Sequence, residues 1–427
     1  MTNTTPQVEK EFYMENSIFE KAGVKENWLA FLEYKLDKQH LSGQEERDIQ
    51  DFITRKAYLP LCEQWADEQF PKCLPVKRVV NKQGSTKKRI VYSFPGDEGI
   101  MLKFIAFHLF DFDSYFCDNC YAFRRQFGVI DAIRRIRQTR GLSDMYCLKV
   151  DISNYFNTID VAILLEKLRF VEDADPTLYR LFTRILKEEH VLENDTVVTE
   201  NHGAMAGTPI SPFFANVYLQ DVDSYFAEKH ILYFRYSDDI LLFADSLTEL
   251  EAYQNTLYEK ISALGLSINP HKVHISAPGE EWEFLGFCYR NGEIDLSHVT
   301  IRKMKAKIKR KADALRRWQR KKGLSGEKAA IGLIRAMNRK FYGSVPDSAD
   351  SSERAEAGGI SDEFTWSRWF FPNLTVDTGL KTIDAYLQQY IRYTVTGRHY
   401  KGNYRIRYET LKEWGYRSLV HEYYKVK

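Results

Sequence analysis

The 427-residue sequence predicts an α+β protein: an antiparallel sheet with packed helices, a mixed segment before it and a mostly helical C-terminal region. Three observations carry that expectation. Short runs of β-branched and aromatic residues flank a tight polar turn in "FRYSDDILLFAD", residues 234–245. Longer stretches repeat apolar residues at steps of three and four. Beyond Ser297 the strand-like runs give way to helical periodicity and a dense set of Lys and Arg.

Residues 8–75 read as mostly helical with one polar face, as in "NWLAFLEYKLDKQHL", residues 27–41. Residues 76–93, "VKRVVNKQGSTKKRIVYS", read as short strands around a turn signalled by Gln83, Gly84 and Ser85. A short strand over 148–151 ends in Asp151. Residues 161–170 and 177–189 read as helices, and 213–229 as a helix after a Gly/Pro-rich loop. Residues 231–234 and 240–243 read as the two arms of a hairpin with Ser237 and Asp238 at its turn. A helix through Leu264, a segment over 268–275 and a short strand over 283–289 complete this part.

Farther on, Ile301, Met304, Ile308, Ala312, Leu315 and Trp318 form one apolar stripe on a helix. Its other faces carry twelve cations, among them Lys303, Lys307, Arg310, Lys311 and Arg317, opposed only by Asp313. So one-sided a set repels itself without a counter-charge, and phosphate is its usual partner. Residues 345–363, "VPDSADSSERAEAGGISDE", read as a mobile loop. Leu380, Ile383, Leu387 and Ile391 stand in helical register, and the chain closes on "GYRSLVHEYYKVK". The expected division is 1–75, a helical extension; 76–147, a mixed segment; 148–295, the sheet-bearing part with helices inserted over about 161–200; and 296–427, the basic helical region.

This length calls for two or three packed units. Hydrophobic residues at 44% and charged residues at 28% are an ordinary soluble composition. With a net charge of only +2, affinity for a polyanion has to come from clustering. The start, "MTNTTPQVEKEFY", lacks an apolar signal-peptide core, and no run reaches the roughly 18 apolar residues of a membrane span. Six scattered cysteines argue against a disulfide framework and fit a reducing cytoplasm. Cys117 and Cys120 have the spacing of half a zinc site, but no second pair completes it.

The adjacent acids Asp238 and Asp239 are the puzzle. Like charges repel, and apolar neighbours make ionisation costlier. Alone they could be an ordinary polar hairpin tip. They are not alone. "LKVDISNYFNTID", residues 148–160, carries Asp151 and, five residues on, Phe156. "GTPISPFFANVYL", residues 207–219, leads from Gly and Pro into a helix, with Ser211 near its start. "GLSINPHKVHIS", residues 265–276, carries Lys272, and "EFLGF" follows at 283–287.

In this order the stretches resemble the palm motifs of reverse transcriptases, over roughly 145–290 and more weakly back to about 76. The resemblance implies a right-hand polymerase fold: an antiparallel palm, mixed fingers and a mostly helical thumb. It implies an RNA-templated DNA polymerase using deoxynucleoside triphosphates. Nucleotidyl transfer of this kind employs two divalent ions roughly 3.5–4 Å apart, held by hard oxygen ligands. Asp151, Asp238 and the Ile152 carbonyl are the implied ligands of two Mg²⁺, or of Mn²⁺ in their place. Asp239 is either an intermittent ligand or an electrostatic support.

Lys272 matches the family's candidate general acid for the leaving pyrophosphate; a plain surface lysine would look the same. Phe156 matches the position beneath the sugar, where a bulky ring excludes a 2′-hydroxyl, with Tyr155, Gly207 and Tyr236 around the nucleotide. The alternative for Phe156 is plain core. Lys82, Lys88 and Arg89 resemble the fingers residues that grip the triphosphate. Arg124 and Arg125, in "YAFRRQFGVIDAI", and Ser211 are the implied nucleic-acid contacts beside the basic helix. One departure stands out: many relatives have Gln where this chain has Ala206.

The end, "WFFPNL" followed by "KTIDAYLQQYIR" and "GYRSLVHEYY", looks like the C-terminal region of bacterial reverse transcriptases of phage defence, often called the unknown group. That resemblance implies a bacterial cytoplasmic enzyme that copies a structured noncoding RNA into cDNA, with no membrane partner. A retron-like or diversity-generating reverse transcriptase is the neighbouring alternative. An RNA-binding scaffold with an inactive palm is the alternative of another class.

Overall fold

The computed structural model describes residues 17–38, 41–67, 73–81, 88–343 and 365–427. Lys82, the turn at Gln83, Gly84 and Ser85, and the loop expected over 345–363 lie outside the described residues. The described residues fall into two compact units. One holds the chain up to Tyr34, Gln44–Ala132 and Asp144–Ala277; the other holds Lys35–Gly43, Ile133–Ser143 and Pro278–Lys427.

The first unit opens on helices Ile18–Ala22, Lys25–Lys38, Gly43–Thr54 and Tyr58–Ala66. Their common core is aromatic: Trp28 stacks on Phe104 at 4.0 Å and on Tyr58 at 5.6 Å, contacts that add to plain burial. Strands β1 (Val76–Asn81) and β2 (Lys88–Ser93) pair antiparallel, with Val80 opposite Arg89.

The central sheet uses β3 (Tyr146–Asp151), β6 (Tyr233–Tyr236), β7 (Asp239–Ala244) and β8 (His274–Ser276) in the order β6-β7-β3-β8, every pair antiparallel. Residues Ile240 to Ala244 of β7 are all buried. Both faces are therefore covered, which is why this strand reads as a continuous apolar run without alternation. Helices Ser211–Glu228 and Leu247–Ala263 pack on this sheet, and Tyr121 stacks on Phe234 of β6. Phe226 stacks on Tyr233 at 4.9 Å, and Leu250, Leu257 and Ile261 are buried.

Two expectations change in shape. Within the insertion of about 161–200, where sequence reads helices over 161–170 and 177–189, helices Val161–Lys167, Arg169–Ala174 and Pro176–Lys187 form, but a hairpin of β4 (His190–Glu193) and β5 (Thr196–Thr199) follows and joins β1. Asn194 and Asp195 take φ 50 and 63, the turn that tight hairpins use and that short polar residues tolerate. The single strand expected over 283–289 is likewise two, β9 (Trp282–Phe284) and β10 (Phe287–Arg290), folded about Leu285 and Gly286 at φ 51 and 91.

The second unit pairs β9, β10 and β11 (Glu293–Leu296), so these strands join the helical region, although sequence grouped them with the larger sheet. Trp282 stacks on Tyr289 at 4.1 Å and Phe287 packs on Phe370. Helix His298–Lys322 is capped by Ser297, whose hydroxyl accepts from the Thr300 amide at 3.1 Å. It packs with helices Gly326–Tyr342 and Thr378–Thr396. Met304, Ile308 and Ala312 of the expected stripe are buried; Leu315 is half-buried and Trp318 is 46% exposed. The stripe leaves the core at its C-terminal end. Leu380, Ile383, Leu387 and Ile391 are all buried, as their register required.

Candidate active site

Backbone pairing alone gathers the acids. Asp151 ends β3 directly opposite Asp239, the first residue of β7. The next hydrogen bond runs from the Ile152 amide to the Asp238 carbonyl at 3.1 Å. Tyr236 pairs with Asp239 across the hairpin, leaving Ser237 and Asp238 as a two-residue turn. Ser237 has φ 60, the positive region that both favoured two-residue hairpin turns demand of their first turn residue. The three carboxylates thus issue from adjacent strand ends, Asp151 buried and the other two half-buried.

The cost of this crowding is visible at Asp239. Its carboxyl is pushed above the usual range, first by burial, with the charges of Asp238 and Asp151 adding and Lys149 and Lys272 opposing. Lys272 makes an ion pair with Asp151. It is carried there by Asn269, whose amide donates to the Asp151 carbonyl at 2.9 Å and whose own carbonyl accepts from the Lys272 amide at 2.9 Å. Three carboxylates carried on adjacent strand ends are hard oxygen donors of the kind a divalent cation takes, so the donor chemistry fits the implied metal.

A side chain that sequence reading missed lies under the turn. Arg235 is fully buried and grips Asp223 through two hydrogen bonds, Nε at 2.7 Å and Nη2 at 2.5 Å. Its Nη1 donates to the Ser237 carbonyl and to Asn216, both at 3.3 Å. Tyr233 Oη donates to the same Asp223 carboxylate at 2.9 Å. Burial opposes the guanidinium charge, but Asp223 and Cys120 hold it well above its ordinary value. The backbone of Arg235 also pairs with Asn119 and Tyr121, which clamps the 117–121 segment to the edge of β6. The only signal in sequence was a charge inside an otherwise apolar strand.

Phe156 follows Tyr155 in the helix Tyr155–Thr158 and is half-buried. Its ring meets Phe123 edge-on at 6.2 Å, and Phe123 lies 6.4 Å from Tyr236. Phe123 was missed as well. It is 37% exposed and takes φ 58, a conformation rare for a bulky residue and a mark of a constrained site.

The loop before helix Ser211–Glu228 is held against this helix and β2: the Ala204 amide donates to the Phe156 carbonyl at 2.8 Å, and the Tyr92 amide to the Ala206 carbonyl at 2.8 Å. Gly203 and Gly207 make the approach feasible. A Cβ at Gly203 would stand 2.6 Å from the Phe156 carbonyl oxygen, and one at Gly207 3.0 Å from Val91 Cβ. The glycine at 207 thus serves backbone packing against β2.

Three expected contacts are corrected by burial. Tyr155 is buried and its hydroxyl donates to the Ala215 carbonyl at 2.5 Å, so the phenol belongs to the core. Ser211 is fully buried, its hydroxyl donating to the Met205 carbonyl at 2.5 Å, so it closes the helix start and does not face nucleic acid. Arg124 is buried and donates to the carbonyls of Cys117, Cys120 and Asp113, which ties its guanidinium to the loop. Its neighbour Arg125 is exposed, packed over Phe107 and Phe110. Lys88 and Arg89 are exposed on β2. In the second unit Lys303, Lys307, Arg310, Lys311 and Arg317 are exposed on one helix.

A sheet that collects three carboxylates and an ammonium around one hairpin turn has the layout of a polymerase palm. Residues 80–289 match the family described as reverse transcriptase (RNA-dependent DNA polymerase). Retron Ec86 reverse transcriptase of Escherichia coli is 28% identical over 106 residues, which are 24% of this chain and 33% of that one; the match thus spans about a third of that relative's length. Among solved structures, telomerase from Candida albicans in complex with a fragment of telomeric RNA aligns with 85% of this chain and 68% of its own, at 13% identity and a TM-score of 0.42. The BmCPV RNA-dependent RNA polymerase aligns with 69% of this chain and 32% of its own, at 12% identity and a TM-score of 0.45. The chain carries a domain of the reverse transcriptase family. No helix among the described residues is long and apolar enough to cross a membrane.

Proposed function

We propose that the chain is an RNA-templated DNA polymerase that copies a structured noncoding RNA into cDNA from dNTPs. The observation that carries this reading is the meeting of Asp151, Asp238 and Asp239 at one turn, inside the span matched to the family. Asp151, Asp238 and the Ile152 carbonyl would hold Mg²⁺ or Mn²⁺, with Asp239 supporting. Bound there, two such ions supply charge neutralisation at the attacking and leaving oxygens of the phosphoryl transfer. The residues of the chain do the rest. Lys88 and Arg89 project from β2 to grip the triphosphate, a role consistent with their exposure. Lys272 Nζ, ion-paired to Asp151, is positioned to donate a proton to the leaving pyrophosphate. Phe156, braced by Phe123, walls the sugar.

Extension of a primed RNA template with dNTPs and Mg²⁺ tests the reading. Labelled cDNA is the expected product; none under varied primers and metals would leave an RNA-binding scaffold. Phe156→Ala is expected to raise ribonucleotide incorporation relative to deoxynucleotide by about 10–100-fold, the discrimination one steric contact can supply. Unchanged sugar choice in an active variant would return Phe156 to the core.

The setting we propose is the bacterial cytoplasm and the role antiphage defence. The match to a retron reverse transcriptase favours a second, neighbouring reading, a retron-like enzyme. Sequencing the nucleic acid that copurifies separates them: an inverted-repeat noncoding RNA supports the first, an RNA branched at a guanosine the second.

A further inference from the structure

Helices His298–Lys322 and Gly326–Tyr342 form an antiparallel pair whose outer face holds an open groove of about 690 Å³, within the range of small-ligand sites. Each helix gives it four residues at the same spacing, i, i+3, i+4 and i+7, which is one helical face. The floor is apolar, built on Leu315 and Ile331. Gly332 adds no side chain to it; a Cβ there would stand in ordinary contact with Leu315 Cδ2 at 3.4 Å. The walls are Lys311, Trp318, Lys328 and Arg335, all exposed.

Among the described residues no carboxylate lines the groove and no ion pair engages the three cations. Trp318 is 46% exposed and stacks on no other ring among the described residues, whereas Trp282 and Trp366 of the same unit pack on neighbouring rings. An exposed indole over an apolar floor, ringed by unpaired cations, offers a planar face for stacking and charge for phosphate. Those are the two terms of single-strand recognition. A protein segment would satisfy the floor but would have to bring its own acids to meet the walls.

We propose that this groove binds an unpaired nucleotide of the RNA, with its base stacked on Trp318 and its flanking phosphates held by Lys311, Lys328 and Arg335. The inference rests on the reading of the chain as an RNA-copying enzyme and adds a site built from other residues than the three acids.

The test uses the full chain and a fluorescein-labelled single-stranded oligouridylate of about 12 nucleotides, with a matched RNA duplex as comparison. Trp318→Ala is expected to weaken single-strand binding about 5- to 100-fold, Trp318→Tyr to restore most of it, and duplex binding to stay within about twofold. Lys311→Gln with Arg335→Gln is expected to flatten the salt dependence of single-strand binding by about 1.4 in the log–log slope. Unchanged affinity in Trp318→Ala, or equal loss on duplex and single strand, overturns the site. So does a change of oligomeric mass in Trp318→Ala without loss of RNA affinity, which would assign the groove to a second copy of the chain. The outcomes separate from those of the polymerase reading: primer extension by the unaltered protein tests the latter, and a stacking site can fail while extension persists.

Discussion

Asp238→Asn is expected to lower primer extension on the order of 10³-fold while leaving RNA binding and the melting temperature near those of the unaltered chain. The size follows from what the carboxylate is asked to do. A catalytic cation contributes several kcal/mol of charge stabilisation in the transition state, and each 1.36 kcal/mol is about tenfold in rate. The fold should tolerate the change, because Asp238 is half-buried at a turn whose backbone bond to Ile152 does not involve its side chain. Asp151→Asn is expected to be as damaging and also to release Lys272 from its ion pair. Steady-state extension with the variants, beside thermal melts, checks both. A variant that extends primers within about tenfold of the parent would remove Asp238 from the chemistry.

Asp223→Asn is expected to destabilise the chain by about 3–5 kcal/mol, the cost of leaving a buried charge without its partner. Arg235 and Asp223 are both fully buried, and the guanidinium has no path to water. Chemical denaturation reads the loss. The more informative variant replaces the set together: Arg235→Met, Asp223→Leu and Tyr233→Phe remove the ion pair and the phenol that depends on it. Much of the stability should return, since apolar replacement of a buried pair is often neutral. Activity should not return, because the Ser237 carbonyl has lost the donor that locates the turn. A misplacement near 1 Å can cost about 10²-fold. Full activity in a stable triple variant would make the network a matter of folding alone.

What could be read from sequence was the part written in order and residue type. An acid closing an apolar strand, two acids in a tight turn and a Gly/Pro loop before a helix are local features, and strand pairing sets Asp151, Asp238 and Asp239 on adjacent strand ends. What could not be read was which of two like residues turns inward. Arg124 and Arg125 are adjacent and chemically equal, yet one is spent on three carbonyls and the other stays exposed. Their split follows from the left-handed Phe123 just before them, a backbone state that sequence does not announce. Arg235 was hidden for the same reason: its partner Asp223 lies on a helix twelve residues back, and only tertiary packing joins them. Trp318 shows the converse. Periodicity put it on the buried stripe, but the helix outruns its core before reaching it.

The most direct test is an anomalous-scattering map from crystals of the chain grown with Mn²⁺, a primed template and a non-hydrolysable deoxynucleotide. The account expects manganese density between the carboxylates of Asp151 and Asp238, within about 2.0–2.3 Å of their oxygens. An ordered template and nucleotide with no manganese at that turn, or with manganese bound elsewhere, would contradict it.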